Sequence, residues 1–98
     1  MSEFDYQHLD DLIHSRIRLA VMALLITVDE ADFVFIKEKV NTTDGNLSVH
    51  LKKLEDAGYI TVKKEFINRK PKTMYSLTKT GKKAFEAYLD QLEKMIKK

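Results

Sequence analysis

The hydrophobic period of this chain changes from helical to alternating at Gly58 and back again at Thr78, which confines the main sheet to one hairpin set between helices. Before the change, Leu47, Leu51 and Leu54 recur at i, i+4 and i+7. After it, Ile60 and Val62 alternate with Thr61 and Lys63. On the far side of Asn68 to Lys72, Thr73, Tyr75 and Leu77 alternate with Met74 and Ser76, so two strands with a basic tip are expected. From Thr78, which can cap a helix, Phe85, Leu89, Leu92 and Ile96 return to helical spacing, with Tyr88 and Met95 widening the stripe. Compact domains run from about 50 to 250 residues, so the 98 residues form one domain, 1–98. The fold class is α+β, mainly α.

The first half reads as helices throughout. Leu9, Leu12 and Ile13 stand at helical spacing, Ser15 can cap the next helix, and Ile17, Val21, Leu24 and Val28 share a face. Ala20, Met22, Ala23 and Leu25 occupy positions where an amphipathic helix carries polar groups, so this helix should be the central one. Asp29-Glu30-Ala31 breaks it, and Asp32 caps a short helix from Phe33 to Val40 with Phe33, Ile36 and Val40 inward. Asn41-Thr42 makes a tight turn, Thr43 caps the following helix, and Gly58 can take the left-handed conformation that ends it. The expected division is terminal helices at 1–14 and 79–98, a helix-turn-helix at 33–58 and a wing at 59–77.

That order is a winged helix-turn-helix, and three stretches resemble small transcriptional regulators of the MarR and ArsR types. Asn46 to Ile60 resembles their recognition helix and the start of the strand after it. Ser15 to Leu25, with Arg18-Leu19 and the apolar run behind it, resembles an earlier helix of the same regulators. Arg69 to Gly81, with Tyr75-Ser-Leu77-Thr-Lys-Thr-Gly81, resembles their wing and its exit. The resemblance implies a dimer that binds double-stranded DNA, and, for MarR-like proteins, a small-molecule effector.

The residues support DNA as partner on their own chemistry. Residues 1–51 hold four basic and nine acidic side chains, and residues 52–98 hold thirteen and six, so a net charge of +2 hides an acidic half and a basic half. On the helix from Thr43, the leucines anchor to the body and Asp44, Gly45, Asn46, Ser48, Val49, Lys52 and Lys53 remain outside. Gly45 lets backbone approach DNA, Asn46 can bond adenine, Ser48 a base or phosphate, Val49 a thymine methyl, and the lysines phosphate. In the wing, Lys63, Lys64, Arg69, Lys70 and Lys72 stand against Glu65 alone. A turn needs glycine or asparagine for its shape and has no structural need of that charge. Arg69 is the expected minor-groove reader, since a guanidinium is weakly hydrated and suits a narrow groove. Arg18 is expected to be structural; His50 stays open between packing and backbone contact.

Other classes are excluded or disfavoured. Cysteine is absent, which removes disulfides, thiolate nucleophiles and Cys-ligated metals. His8, His14 and His50 are dispersed, with no metal-binding pair, phosphate loop or catalytic base in view, so neither an enzyme nor a cofactor is expected. The apolar run Leu19 to Val28 is about half a bilayer span and Met1-Ser2-Glu3 opens no basic signal sequence, so a cytoplasmic protein without membrane contact is expected. Phe4, Leu9, Leu12, Phe85, Tyr88, Leu89, Leu92 and Ile96 are assigned to a homodimer interface between terminal helices. Repression is the expected sign of regulation. The rival is a winged-helix protein adaptor without DNA specificity, which would lack the basic wing.

Overall fold

The computed structural model describes Gln7 and residues 9–97. Helix α1 spans Arg16–Leu25, strand β1 Ala31–Asp32, α2 Phe33–Val40, α3 Asp44–Asp56, β2 Ile60–Ile67, β3 Lys70–Leu77 and α4 Lys79–Ile96. The expected caps are all in place. Ser15, Asp32, Thr43 and Thr78 each accept a hydrogen bond from the backbone N–H three residues on, satisfying donors that the first helical turn leaves open. Asn41 closes α2 with φ 58°, and Gly58 follows α3 with φ +79°. There the Gly58 N–H bonds to the Glu55 carbonyl and the Tyr59 N–H to the Leu54 carbonyl, the paired bonds of a Schellman ending.

The core is a single cluster. Val21, Met22 and Leu25 of α1 meet Ile36 of α2, Leu47, Leu51 and Leu54 of α3, Ile60 and Tyr75 of the sheet, and Phe85 and Tyr88 of α4. Helix α1 is central, as its apolar sides require. It ends at Leu25, earlier than the apolar run suggests. The Thr27 hydroxyl donates to the Leu24 carbonyl there, and the chain turns before β1. The strands are ordered β1-β3-β2, all antiparallel, with Ala31↔Tyr75, Asp32↔Met74, and Ile60↔Leu77 through Ile67↔Lys70 as partners. A third strand thus joins the two-stranded wing at its base.

Residues 9–15 are turns instead of the expected helix. Side-chain chemistry outcompetes the helical pattern. Asp10 Oδ1 accepts the Leu12 and Ile13 N–H groups at 2.9 and 3.3 Å, its Oδ2 accepts the Tyr59 hydroxyl, and the Arg18 Nε donates to the Leu12 carbonyl. These bonds press Ile13 fully into the core. Phe4 and His8 lie outside the described residues.

Both ends of the wing are tied together at its base. The Thr78 N–H donates to the Tyr59 carbonyl at 3.0 Å and its hydroxyl to the Gly58 carbonyl at 2.6 Å. Gly81 lies against the same strand start, so close that a Cβ there would stand 2.1 Å from the Tyr59 carbonyl oxygen.

Candidate nucleic-acid interface

Helix α3 has 13 residues, about 20 Å of rod. Leu47, Leu51 and Leu54 are buried, while Asp44, Gly45, Asn46, Ser48, Val49, Lys52 and Lys53 are all exposed. At 3.6 residues per turn, Gly45, Val49 and Lys53 fall opposite the leucines and form the outermost line. A Cβ on Gly45 would meet nothing within 4 Å, so its openness is real and its backbone is accessible. Ser48 and Lys52 lie on the flank towards the sheet, where they line a shallow opening with Leu51, Glu55, Val62 and Tyr75. Two charged members are partly spent. Asp44 binds Lys37 of α2 at 2.7 Å, and Lys52 binds Asp56 one turn on at 3.0 Å. Lys53 has no ion pair among the described residues.

The inner side of α3 is held by Arg18. Its Nη1 donates to Nδ1 of His50 at 2.8 Å while its Nε donates to the Leu12 carbonyl. A guanidinium has no acceptor, so Nδ1 must offer its lone pair, which requires a neutral ring. Burial, with the positive charges of Arg18 and Lys53, pushes the His50 pKa below its usual value. Arg18 and His50 therefore pin α3 to α1, and both belong to the scaffold. Tyr59 belongs there too: burial and its bond to Asp10 push its pKa to about 12.

The wing departs from the sequence reading in its turn. The connection is the two residues Asn68-Arg69, both left-handed with φ 53° and 64°, and Lys70, Pro71 and Lys72 are strand, not tip. Strand β1 covers only Tyr75 and Met74, leaving the outer edge of β3 from Lys70 to Thr73 unpaired. Across a two-residue turn Ile67↔Lys70 is the hydrogen-bonded pair and pairs alternate, so position 71 faces outward, where the missing N–H of proline costs no ladder bond.

Register also sorts the basic residues by face. Lys63 and Lys72 sit on the face with Glu65 and Met74, away from the opening onto α3. There Lys63 binds Glu65 at 2.7 Å and approaches Glu30 at 3.7 Å, and Lys72 binds Asp32 at 3.2 Å. The Phe35 backbone N–H and Lys72 together lower the Asp32 pKa. These two lysines, assigned to DNA contact from the sequence, stand beside carboxylates: Glu65 and Glu30 for Lys63, and Asp32 for Lys72. Lys64, Arg69 and Lys70 carry no ion pair among the described residues. Lys64 shares the α3-facing side with Val62, Tyr75, Thr73, Phe66 and Pro71. Phe66, 80% exposed, was missed in the sequence. Its signal was available: an aromatic in core parity, too far along the ribbon for the body to cover.

The residues assigned to pairing divide as well. Phe85 and Tyr88 are buried in the chain's own core, and the Tyr88 hydroxyl meets Nδ1 of His14 at 2.7 Å, so neither is left for a partner. Leu9, Leu12 and Leu92 are half-buried, whereas Leu89 is 46% and Ile96 80% exposed.

Residues 17–96 match the family model described as a winged helix DNA-binding domain. The chain belongs to this family. An uncharacterized protein of Methanocaldococcus jannaschii is 38% identical over 86 residues, covering 88% of this chain and 94% of its own. The structure of a transcriptional regulator homologue from Pyrococcus horikoshii OT3 superposes with a TM-score of 0.88 at 27% identity, covering 98% of this chain and 95% of the other. A MarR-family regulator from Silicibacter pomeroyi shares the fold, with a TM-score of 0.67 at 17% identity over 84% of this chain and 54% of its own. Winged helix DNA-binding domains bind DNA and are not catalytic. No helix among the described residues is long and apolar enough to cross a membrane.

Proposed function

We propose that the chain is a sequence-specific regulator of transcription that acts in the cytoplasm as a dimeric repressor, with α3 in the major groove and the wing in the adjacent minor groove. The observation that carries this reading is Arg69. Turns of this kind favour glycine, because an L-residue in left-handed backbone costs about 1–2 kcal/mol. A cation is held there at the expense of stability, and backbone strain of this sort collects at sites of contact. Position agrees with it. Five residues of strand, Lys63 to Ile67, carry the ribbon about 17 Å past Val62, matching the roughly 17 Å half-turn that separates a major groove from the next minor groove. Gly45, Asn46, Ser48 and Val49 then supply the base-reading line, and Lys53, Lys64 and Lys70 the phosphate contacts. The Pyrococcus horikoshii protein, described as a transcriptional regulator homologue, supports the same reading.

The dimer rests on Leu89 and Ile96, a stripe on α4 that no described element covers, with Leu92 beside it. Two copies would present their recognition helices about 34 Å apart, one helical turn, and so read a pseudo-palindrome. Leu89→Glu should leave a folded monomer by light scattering; wild-type protein already monomeric at micromolar concentration would refute pairing.

The test is fluorescence anisotropy with a labelled random-sequence duplex at about 50 and 200 mM salt, with heparin as competitor. A dimer brings about eight cations with no ion pair among the described residues, Lys53, Lys64, Arg69 and Lys70 of each chain, so affinity should fall roughly 10³-fold or more between those salts. No binding at the lower salt would overturn the reading and favour a protein partner.

A further inference from the structure

Phe66 stands 80% exposed near the end of a two-stranded ribbon, with only Pro71 across from it. The pair is a non-hydrogen-bonded one, in which side chains approach most closely, so ring and pyrrolidine form one small apolar surface. Nothing in the fold calls for it. Helix α3 flanks this face at Val62 and Tyr75, and Asp32, Phe33 and Val34 flank the ribbon at Pro71 to Thr73, yet the ring stays exposed on the edge strand β2, where an uncovered aromatic is an aggregation hazard. Lys64 shares its face, Arg69 holds the turn and Lys70 lies on the other face, none of them in an ion pair among the described residues. A hydrophobic protein partner would demand a wider apolar patch than one ring and one proline, and would have to desolvate those charges. A duplex answers both features, with phosphates for the cations and apolar deoxyribose faces between them.

We propose that Phe66, backed by Pro71, is an apolar wedge that enters the minor groove of duplex DNA and packs on deoxyribose beside the phosphate held by Lys64 on the same face, while Lys70 meets phosphate from the other face of the ribbon. The proposal rests on the DNA-binding reading and adds to it a contact that does not depend on charge. Side chains of this type do enter minor grooves, where they pack on sugars or part base steps. The contact should make binding less sensitive to salt than the cations alone would.

The full chain carrying Phe66→Ala is titrated with the labelled duplex at both salts, beside Lys70→Ala. Loss of affinity of about 10- to 100-fold is expected for Phe66→Ala, the equivalent of one buried phenylalanine, with the salt slope unchanged. Lys70→Ala should lower that slope instead. The chain has no tryptophan, so Phe66→Trp installs a single reporter whose emission should be quenched and shift to the blue on adding duplex. Unchanged affinity in Phe66→Ala while Lys70→Ala weakens binding would overturn the wedge and leave the DNA reading standing. A lower oligomer mass for Phe66→Ala would also overturn it, by showing that a second copy covers the ring. Failure of the wild type to bind duplex would overturn both.

Discussion

Gly81→Ala should destabilise the protein by about 2–4 kcal/mol, a shift of roughly 10 °C or more in Tm, although the same change in an ordinary helix stabilises. The added Cβ would lie 2.1, 2.8 and 3.0 Å from the carbonyl oxygen, carbonyl carbon and Cα of Tyr59. All three are backbone atoms, and none can step aside. The Tyr59 carbonyl accepts the Thr78 N–H, its N–H donates to Leu54, and its hydroxyl is held by Asp10. On the other side, the Gly81 N–H is fixed to the Thr78 hydroxyl at 2.9 Å, so α4 cannot retreat without losing its cap. Gly45→Ala is the matched control, since a Cβ there meets nothing within 4 Å, and it should raise stability by about 0.5–1 kcal/mol. Urea denaturation decides the matter. Equal effects of the two substitutions would show that close approach to Tyr59 is not what position 81 requires.

Arg69→Gly should move stability and function in opposite directions. Removing the side chain from a residue at φ 64° relieves left-handed strain, offset in part by the freedom glycine gains in the unfolded chain, for a net gain of up to about 1 kcal/mol. Affinity for the selected operator should fall by about tenfold or more, with weaker preference at the base pairs under the tip, as expected when an arginine leaves a groove. Lys70→Ala offers the contrast, with unchanged stability and evenly weaker binding. A variant at 69 that is both stabilised and fully competent for DNA would mean that the tip arginine has no part in recognition.

What the sequence disclosed, and what it withheld, follows the range of the interactions involved. Ser15, Asp32, Thr43, Thr78 and Gly58 act on backbone groups within a few residues, and each stood out. Leu47, Leu51 and Leu54 were legible because burial imprints a period. Strand β1 was not, since two residues become a strand only by meeting Tyr75 and Met74, more than forty positions away. Leu9, Leu12 and Ile13 keep a helical spacing, yet Asp10 and Tyr59, partners across the fold, settle that segment as turns. Composition counted the wing's charges correctly but not their pairing. Lys63 and Lys72 looked equivalent to Lys64 until strand register placed them on the other face, beside Glu30 and Asp32.

The knot at the base of the wing bears on how such a protein can change over time. Because Thr78 joins Gly58 and Tyr59, the ribbon beyond is anchored by its own two feet, and its length is not written into the core. Adding or deleting two residues in each strand would move the tip by about 7 Å and keep every remaining side chain on its present face. A single-residue change in each strand would turn the tip-side faces over and exchange Phe66 and Lys64 for Glu65 and Ile67. Wing length is therefore inherited in steps of two, and the spacing between base-reading helix and tip can be retuned without renegotiating the fold that carries them.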